Sequence, residues 1–371
     1  SIGELNTKSF VRGGASFLSP RVQLLSPGDQ IVIYDEAGRW LRVETSDGHW
    51  GFIPRKHVIE KGEKPPVIER TKEYVPSPLK GSKVILAWEQ VYSVAPDPSK
   101  FGDMPGLNVV SPTWFHLAET PGELENRADM RYVNWAHSRG YQVWGLFSNS
   151  FDPERTSVVL RDSDLRDKVI SQLLIYANVY KLDGINIDFE NVNLEDGPFL
   201  TQFVREMTPL LHGQGLTVSI DVTVKSQSPN WSMFLDRKQL AQAVDYVMLM
   251  AYDQFSQGSK VSGPVSSITW TDWAIKKTLE EVPESKLVLG VPFYARIWTE
   301  TPNNGGTKVS SRALGMEAVR SWLAKENVTP EYQPDTGLMY AEKRIGNELH
   351  RVWIEDAGSA KKRAELANKY R

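Results

Sequence analysis

The chain has 371 residues, of which 40% are hydrophobic and 24% charged, with a formal net charge of −3 and no cysteine. The lack of cysteine excludes disulfides, thiolate metal sites and cysteine nucleophiles, and the mild charge argues against electrostatic binding of nucleic acid. No apolar run is long enough to span a bilayer, and the length allows one large core beside a smaller domain.

The first 60 residues predict a small all-β domain. Short runs of β-forming residues alternate with turns that contain Asp or Gly, and these runs cover 22–25, 31–34, 40–43 and 50–54, with turns at 26–29, 35–38 and 46–48. Residues 38–53 resemble bacterial SH3 domains, which implies a module that binds the cell wall or a glycan. A packing domain without a ligand is the alternative. Residues 61–82 are rich in Pro, Lys and Glu and predict an extended linker.

From residue 83 onward, apolar strand-like runs alternate with amphipathic helical patterns. The predicted strands cover 84–88, 109–115, 142–147, 184–189, 216–221, 246–251 and 287–292. Repeated strand-then-helix order predicts an α/β fold with parallel strands, and this number of repeats favours a (β/α)8 TIM barrel over an open sheet. Residues 295–357 predict a small α+β insertion, with a helix near 316–325 and a hairpin turning at Gly346, before a final helix over 359–370. The sequence contains no recognisable eighth strand.

An acidic strand stands out at 184–190. Side chains alternate across a strand, so Asn186, Asp188 and Glu190 share one face, while apolar residues share the other. The polar face is expected to point into the barrel, with Glu190 at the carboxyl end, where barrel enzymes place their chemistry. Two enclosed carboxylates so close together resist double ionisation, so one proton is retained near neutral pH and can be given to a leaving oxygen. A calcium site or a structural acidic cluster is the alternative, although apolar residues intervene where a calcium loop would have glycine.

The segment 183–190 resembles the signature of glycoside hydrolase family 18, in particular the bacterial branch that includes spore cortex-lytic N-acetylglucosaminidases. Asn186 stands where that family usually has an aspartate. The resemblance implies that Glu190 acts first as acid and then as base, and that Asp188 orients the substrate's acetamido group. That group is the nucleophile in a retaining, substrate-assisted reaction. Asp183 and Asn186 are further expected substrate-binding residues.

Two later segments extend the resemblance. Residues 248–253 resemble the sixth strand of the family, which implies that Tyr252 holds the acetamido oxygen as part of the catalytic set and that Asp253 lines the same subsite. Residues 289–296 resemble the seventh strand, which implies Tyr294 and Arg296 as lining residues. Three more candidates lie at predicted strand ends, with packing as an equally open alternative, namely Trp88, Trp114 and Asn149.

The sequence therefore predicts a glycoside hydrolase that acts on a polysaccharide containing N-acetylglucosamine. Peptidoglycan of the cell wall or spore cortex is the favoured substrate; a chitin hydrolase and a glycan-binding protein without activity are the alternatives. No metal or cofactor is expected, because the histidines lack ligand spacing and no glycine-rich phosphate loop follows a strand. We expect extracytoplasmic action, with any signal or anchor outside this sequence.

Overall fold

The computed structural model describes residues 1–62, 83–92 and 106–370. The chain divides into two compact units, one comprising residues 1–221 and 228–246, the other residues 222–227 and 247–371. Most of the predicted linker, 63–82, lies outside the described residues. Its first two residues continue a strand instead, so the N-terminal domain extends to Gly62.

The N-terminal domain is one antiparallel sheet of seven strands. These are β1 (Ile2–Leu5), β2 (Ser9–Arg12), β3 (Arg21–Leu25), β4 (Gln30–Ala37), β5 (Trp40–Thr45), β6 (Trp50–Pro54) and β7 (Val58–Gly62), in the order β3-β2-β6-β5-β4-β1-β7. Alternate residues face inward and form an apolar core that includes Leu5, Val11, Ile31, Leu41 and Ile53. The predicted all-β character is confirmed.

One predicted turn in this domain is wrong. Residues 35–38 were expected to form it, but β4 continues through Ala37 and pairs Ala37 with Trp40. The reversal is a two-residue turn at Gly38 and Arg39, in which Gly38 has φ +62°. A left-handed residue suits the twist of a tight hairpin, so the glycine sets the position of the turn and the acidic residues before it stay in the strand.

After residue 83 the first unit carries strands joined by helices. The strands are β8 (Leu86–Glu89), β9 (Val109–Pro112), β10 (Phe115–Leu117), β11 (Leu124–Asn126), β12 (Gln142–Ser148), β13 (Gly184–Asp188) and β14 (Thr217–Thr223), whose last two residues belong to the second unit. The helices are α1 (Met130–Ser138), α2 (Pro153–Leu160), α3 (Ser163–Val179), α4 (Gly197–Gly213) and α5 (Arg237–Ala243).

The pairing is parallel, as the strand-then-helix order predicts. β12 lies beside β9, β10 and β13, β13 also pairs with β14, and β8 pairs with β9, whereas β11 is antiparallel to β10. The predicted single strand over 109–115 is wrong, since β9 ends at Pro112 and β10 begins at Phe115. Proline has no N–H to donate to a ladder, which accounts for the break.

The N-terminal domain packs against α3 within the first unit. Arg42 is buried, and its guanidinium donates to Ser171 Oγ at 2.7 Å and pairs with Asp167 Oδ2 at 3.3 Å. The side chain of Gln214, just beyond α4, donates to the carbonyl of Gly48 at 2.9 Å. The all-β domain is therefore joined to α3 and to the end of α4 by buried and half-buried polar contacts.

The second unit combines a parallel strand pair with an antiparallel sheet. β15 (Tyr246–Met250), which begins at the last residue of the first unit, pairs with β16 (Leu287–Gly290). The antiparallel sheet has the order β18-β17-β21-β20-β19, and its strands are β17 (Tyr294–Asn303), β18 (Gly306–Gly315), β19 (Glu331–Gln333), β20 (Leu338–Ile345) and β21 (Glu348–Ile354). The helices are α6 (Ile268–Leu279), α7 (Met316–Glu326) and α8 (Ala357–Lys369).

The predicted helix near 316–325, the hairpin at Gly346 (φ +62°) and the final helix are all present. The long hairpin of β17 and β18 was not predicted. Among the described residues no further parallel strand follows β16. Within the same ranges, no helix is long and apolar enough to cross a membrane.

Candidate active site

The acidic strand β13 has the two-faced character that alternation predicts. Ile185 and Ile187 are fully buried on one face. On the other face Asn186 is also fully buried, while Asp188 and Glu190 are only half-buried. The strand ends at Asp188, so Glu190 lies beyond the ladder and needs another support. The accessible acid is thus at the carboxyl edge of the parallel strands.

The titration of Asp188 depends on burial and on its neighbour Glu190. Burial raises the pKa of Asp188 to about 6, and Glu190 opposes part of that rise. In the described part of the chain, Asp188 Oδ1 is buried with no hydrogen-bond partner. An enclosed carboxyl that is not fully satisfied can change its charge near neutral pH, as acid–base chemistry requires.

Asn149 supplies the support that Glu190 lacks. Its amide donates to the Glu190 carbonyl at 2.7 Å and to Thr156 Oγ1 at 2.9 Å, and its oxygen accepts from the Glu190 N–H at 3.1 Å. Asn149 follows directly after β12, whose last residue, Ser148, is in register with Asp188. The side-chain amide therefore extends the ladder past the end of the strand. Asn149 is fully buried, and in this structure its side chain contacts the backbone of Glu190; its predicted role in substrate binding stays a prediction.

Asn186 is the centre of a buried network. Its oxygen accepts from Trp88 Nε1 at 3.1 Å, and its amide donates to Ser219 Oγ and Asp221 Oδ1, each at 2.8 Å. Asn186 is fully buried, so its polar atoms face this network, and its predicted role in substrate binding stays a prediction. Trp88, which lies on β8, is half-buried and joins the network through this hydrogen bond to Asn186.

Asp221 belongs to this network and was missed by sequence reasoning. It is 1% exposed, and burial, followed by the charge of Asp188, raises its pKa well above the ordinary range. The signal was present in β14, where Thr217, Ser219, Asp221 and Thr223 alternate with apolar residues. An aspartate on the inner face of a predicted barrel strand is a candidate for a site on the same grounds as Asp188.

A polar row runs across the sheet at the level of Asp188. His116 on β10 is in register with Ser148 on β12, and Ser148 is in register with Asp188 on β13. His116 Nδ1 lies 3.1 Å from Ser148 Oγ, and its Nε2 lies 3.0 Å from the Thr113 carbonyl, which fixes the proton on Nε2. Burial lowers the pKa of His116, so the ring is neutral near pH 7.

Two predicted substrate-binding residues lie elsewhere. Trp114 is fully buried against Phe115 and Tyr132, the packing arrangement that the sequence left open as the alternative for this residue. Asp183 precedes β13, at the opposite end of the strand from Glu190, and accepts from the Val143 N–H at 2.8 Å. The structure therefore does not bring Asp183 together with Asp188.

An exposed aromatic pair lies in the loops that follow the strands. Phe151 is 49% exposed and Trp231 is 45% exposed, with their ring centroids 6.5 Å apart. Asn191, the residue after Glu190, donates from its side chain to the Phe151 carbonyl at 3.0 Å. Phe151 and Asn191 have φ of +53° and +55°, a strained conformation that concentrates at functional sites. These rings were not identified from the sequence.

The second unit contains four predicted site residues, and two of them, Asp253 and Tyr294, are in contact. Tyr294, the first residue of β17, donates its hydroxyl to Asp253, and burial together with this contact raises the pKa of Tyr294. Arg296 donates to Ser311 Oγ at 3.3 Å. Tyr252 is half-buried just beyond β15. The roles assigned to these residues in substrate binding stay predictions.

Comparison with known proteins identifies the family. The sequence model described as "Glycosyl hydrolases family 18" matches residues 130–371. The uncharacterised glycosylase YvbX of Bacillus subtilis is 24% identical over 277 residues, which cover 71% of this chain and 78% of the relative. The cortical fragment-lytic enzyme of the same species is 27% identical over 228 residues, or 60% of this chain. The chain matches only about half the length of that enzyme (52%).

The same fold occurs among solved structures. The C-terminal domain of a "putative chitinase" from Desulfitobacterium hafniense superposes with a TM-score of 0.68 over 78% of this chain and 91% of that domain, at 22% identity. The curled parallel sheet that such structures share is TIM-barrel-like. The family match covers well over half of the chain and includes the acid pair on β13. The chain therefore belongs to glycosyl hydrolases family 18, and its parallel strands carry the glycoside hydrolase fold.

Proposed function

We propose that the chain hydrolyses β-1,4 glycosidic bonds next to N-acetylglucosamine in peptidoglycan, with the substrate's acetamido group as nucleophile. The proposal rests on the two carboxyls of Glu190 and Asp188, which lie two residues apart at the carboxyl end of β13 and affect each other's titration. Glu190 is accessible, whereas Asp188 has one fully enclosed oxygen. This difference in surroundings favours two roles. Glu190 is the acid that protonates the leaving oxygen, and Asp188 is a carboxylate that stabilises the positive charge that develops.

In the first step, Glu190 donates its proton to the glycosidic oxygen while the acetamido oxygen attacks the anomeric carbon. The bond between that carbon and the glycosidic oxygen breaks, the leaving sugar departs as an alcohol, and a cyclic oxazolinium ion forms. Asp188, as a carboxylate, accepts from the acetamido N–H and balances the positive charge. Electrostatic stabilisation of this kind is strong in a water-poor site.

In the second step, Glu190 is a carboxylate and removes a proton from water. The water oxygen attacks the anomeric carbon, the acetamido group is restored, and the product keeps the configuration of the substrate. Asp221 is the other enclosed carboxyl of this region, but at 1% exposure it is too deep to act as a protein nucleophile. That depth supports the substrate-assisted route.

Phe151 and Trp231 suit a second sugar ring, because their exposed faces can stack on the apolar side of a pyranose. Asn149 fixes the backbone of Glu190, so the acid keeps its orientation when substrate binds. Tyr252, Asp253, Tyr294 and Arg296 keep the predicted substrate-binding roles as part of this proposal.

A groove on the N-terminal domain favours peptidoglycan over chitin. Its volume is about 500 Å³, and its lining includes Phe17, Trp40, Arg39 and Lys56. The rings of Phe17 and Trp40 are 4.8 Å apart, and Lys56 Nζ lies 6.0 Å from the Phe17 ring. Aromatic faces beside cations fit a glycan that carries carboxylates, which peptidoglycan does and chitin does not. Binding of the cell wall by this SH3-like domain, and action outside the cytoplasm, belong to the same proposal.

The test is digestion of purified peptidoglycan and of chitin oligomers by the wild type, E190Q and E195Q, followed by measurement of reducing ends and fragment masses. Glu195 is an exposed glutamate of the loop after β13 and provides a matched control. We expect fragments that end in N-acetylglucosamine from peptidoglycan, a rate about 10³-fold lower for E190Q, and a wild-type rate for E195Q.

An unchanged rate for E190Q would refute the assignment of the acid. Faster cleavage of chitin oligomers than of peptidoglycan would replace the proposed substrate with chitin. Binding of both glycans without cleavage would instead indicate a glycan-binding protein.

A further inference from the structure

Asp221 lies beside Asp188 on the inner face of the sheet. Asn186 is in register with Ser219, and Ile187 with Ile220, on the parallel strands β13 and β14. The next positions along both strands are Asp188 and Asp221. Neighbouring strands are about 4.8 Å apart, so the two carboxyls are adjacent on one face.

The amide of Asn186 fixes which oxygen of Asp221 can carry a proton. Trp88 Nε1 can only donate, so the Asn186 oxygen faces Trp88 and the amide nitrogen faces Asp221. Asp221 Oδ1 therefore accepts a hydrogen bond at 2.8 Å. A proton on Asp221 must then be on Oδ2, where it is available to a second acceptor.

The electrostatics of the pair favour one shared negative charge. Two adjacent carboxyls that are both enclosed resist double ionisation. Burial and the charge of Asp188 raise the pKa of Asp221 well above its ordinary range, whereas the pKa of Asp188 rises only to about 6. Asp188 also contacts Glu190, and the titratable group at the other end of its polar row is His116, which is neutral near pH 7.

We propose that Asp221 is a positioning residue that remains protonated through the reaction and acts as a hydrogen-bond donor beside Asp188, so that Asp188 alone carries the negative charge. Asp188 Oδ1 has no partner within the described ranges, which makes it the acceptor that this donor can serve. The inference rests on the proposed function, since it concerns the charge that balances the oxazolinium ion. In this chain the acidic partner of Asp188 is then Asp221 on the neighbouring strand β14, because position 186, where the family usually has an aspartate, is an asparagine.

The test compares D221N and D221L through the pH dependence of kcat and kcat/KM. Asparagine keeps a neutral donor at this position, whereas leucine has the same branching but no donor and a larger volume. We expect D221N to stay within about threefold of the wild type at pH 7. Without the donor, ionised Asp188 is less stable, so we expect the acid limb of D221L to move up by about one pH unit, with kcat at pH 6 about tenfold lower and little change in KM.

Equal pH profiles for D221N and D221L would overturn the proposal. If the acid limb of the pH profile shifts in H116N but not in D221L, the limb belongs to His116 and the proposal is also overturned.

Difference infrared spectroscopy of the intact protein gives a readout that needs neither activity nor a folded D221L. We expect the wild type to show the carbonyl band of a protonated carboxyl at pH 7. In D221N the intensity of this band is expected to fall by the amount of one carboxyl. An unchanged band would overturn the proposal, whereas failure of the proposed function is seen separately as full activity of E190Q.

Discussion

The two ends of β13 each carry an aspartate, and the two carboxylates have different surroundings. Before the strand, Asp183 Oδ2 accepts from the Val143 N–H at 2.8 Å and lies 2.7 Å from His137 Nε2. At the other end, Asp188 has a buried oxygen without a partner in the described part of the chain, and a pKa raised to about 6. The carboxylate before the strand has a backbone and a histidine partner, whereas burial raises the pKa of the carboxyl at the other end.

The arrangement at the amino end recurs on another strand. Asp245, just before β15, accepts from the Val218 N–H at 2.8 Å and lies 2.8 Å from His212 Nε2. Each aspartate thus joins a neighbouring strand to the last turn of a helix. In parallel barrels, hydrogen-bonded polar groups at the amino ends of the strands generally serve stability, whereas polar groups with a shifted pKa at the carboxyl ends serve chemistry.

The largest expected effect on this contrast is the loss of the charge at Asp188. In D188N an amide occupies the same volume but cannot balance the oxazolinium ion. We expect kcat/KM to fall by about 10²–10³-fold, from the size of typical electrostatic contributions. Hydrolysis assays beside E195Q measure the loss, and a decrease of less than about fivefold would contradict the role of Asp188.

A smaller effect is expected for Asn149, whose buried side chain holds the backbone of Glu190. N149A removes both hydrogen bonds to the Glu190 backbone, so the carboxyl is expected to lose its fixed orientation. We expect kcat to fall about 10–100-fold with little change in KM, and the free energy of unfolding to fall by about 1–3 kcal/mol. Steady-state kinetics and urea denaturation separate the two effects. A change confined to KM would indicate direct binding of substrate instead.

The smallest expected effect on activity belongs to the amino end. D183A and D245A each remove a carboxylate that accepts from a backbone N–H and a histidine. We expect each variant to lose about 1–3 kcal/mol of unfolding free energy and to keep kcat within about twofold at a temperature where it is folded. A large loss of kcat in D183A, with normal stability, would contradict this expectation and support the predicted role of Asp183 in substrate binding.

Strand alternation was sufficient to predict the inner face of β13, because Asn186 and Asp188 lie within the ladder. It was not sufficient for Asn149, whose role depends on the register between β12 and β13 and on Glu190 lying past the strand end. An aromatic residue after a strand also does not reveal whether it packs inward, as Trp114 does, or outward, as Phe151 does. The register of two strands is a long-range property, which local pattern cannot specify.

The most direct test of the contrast is the free energy of unfolding of wild type and D188N between pH 4 and pH 8. The folded pKa of Asp188 is about 6, raised from the reference value of 3.8, so ionisation destabilises the folded wild type as pH rises through this window. D188N cannot ionise there. We expect it to gain stability relative to the wild type from pH 4 to pH 6, by up to about 3 kcal/mol, and to keep that advantage at higher pH. A difference that does not change with pH, or that favours the wild type as pH rises, would show that the folded protein does not raise the pKa of Asp188 and would contradict the contrast between the two ends of β13.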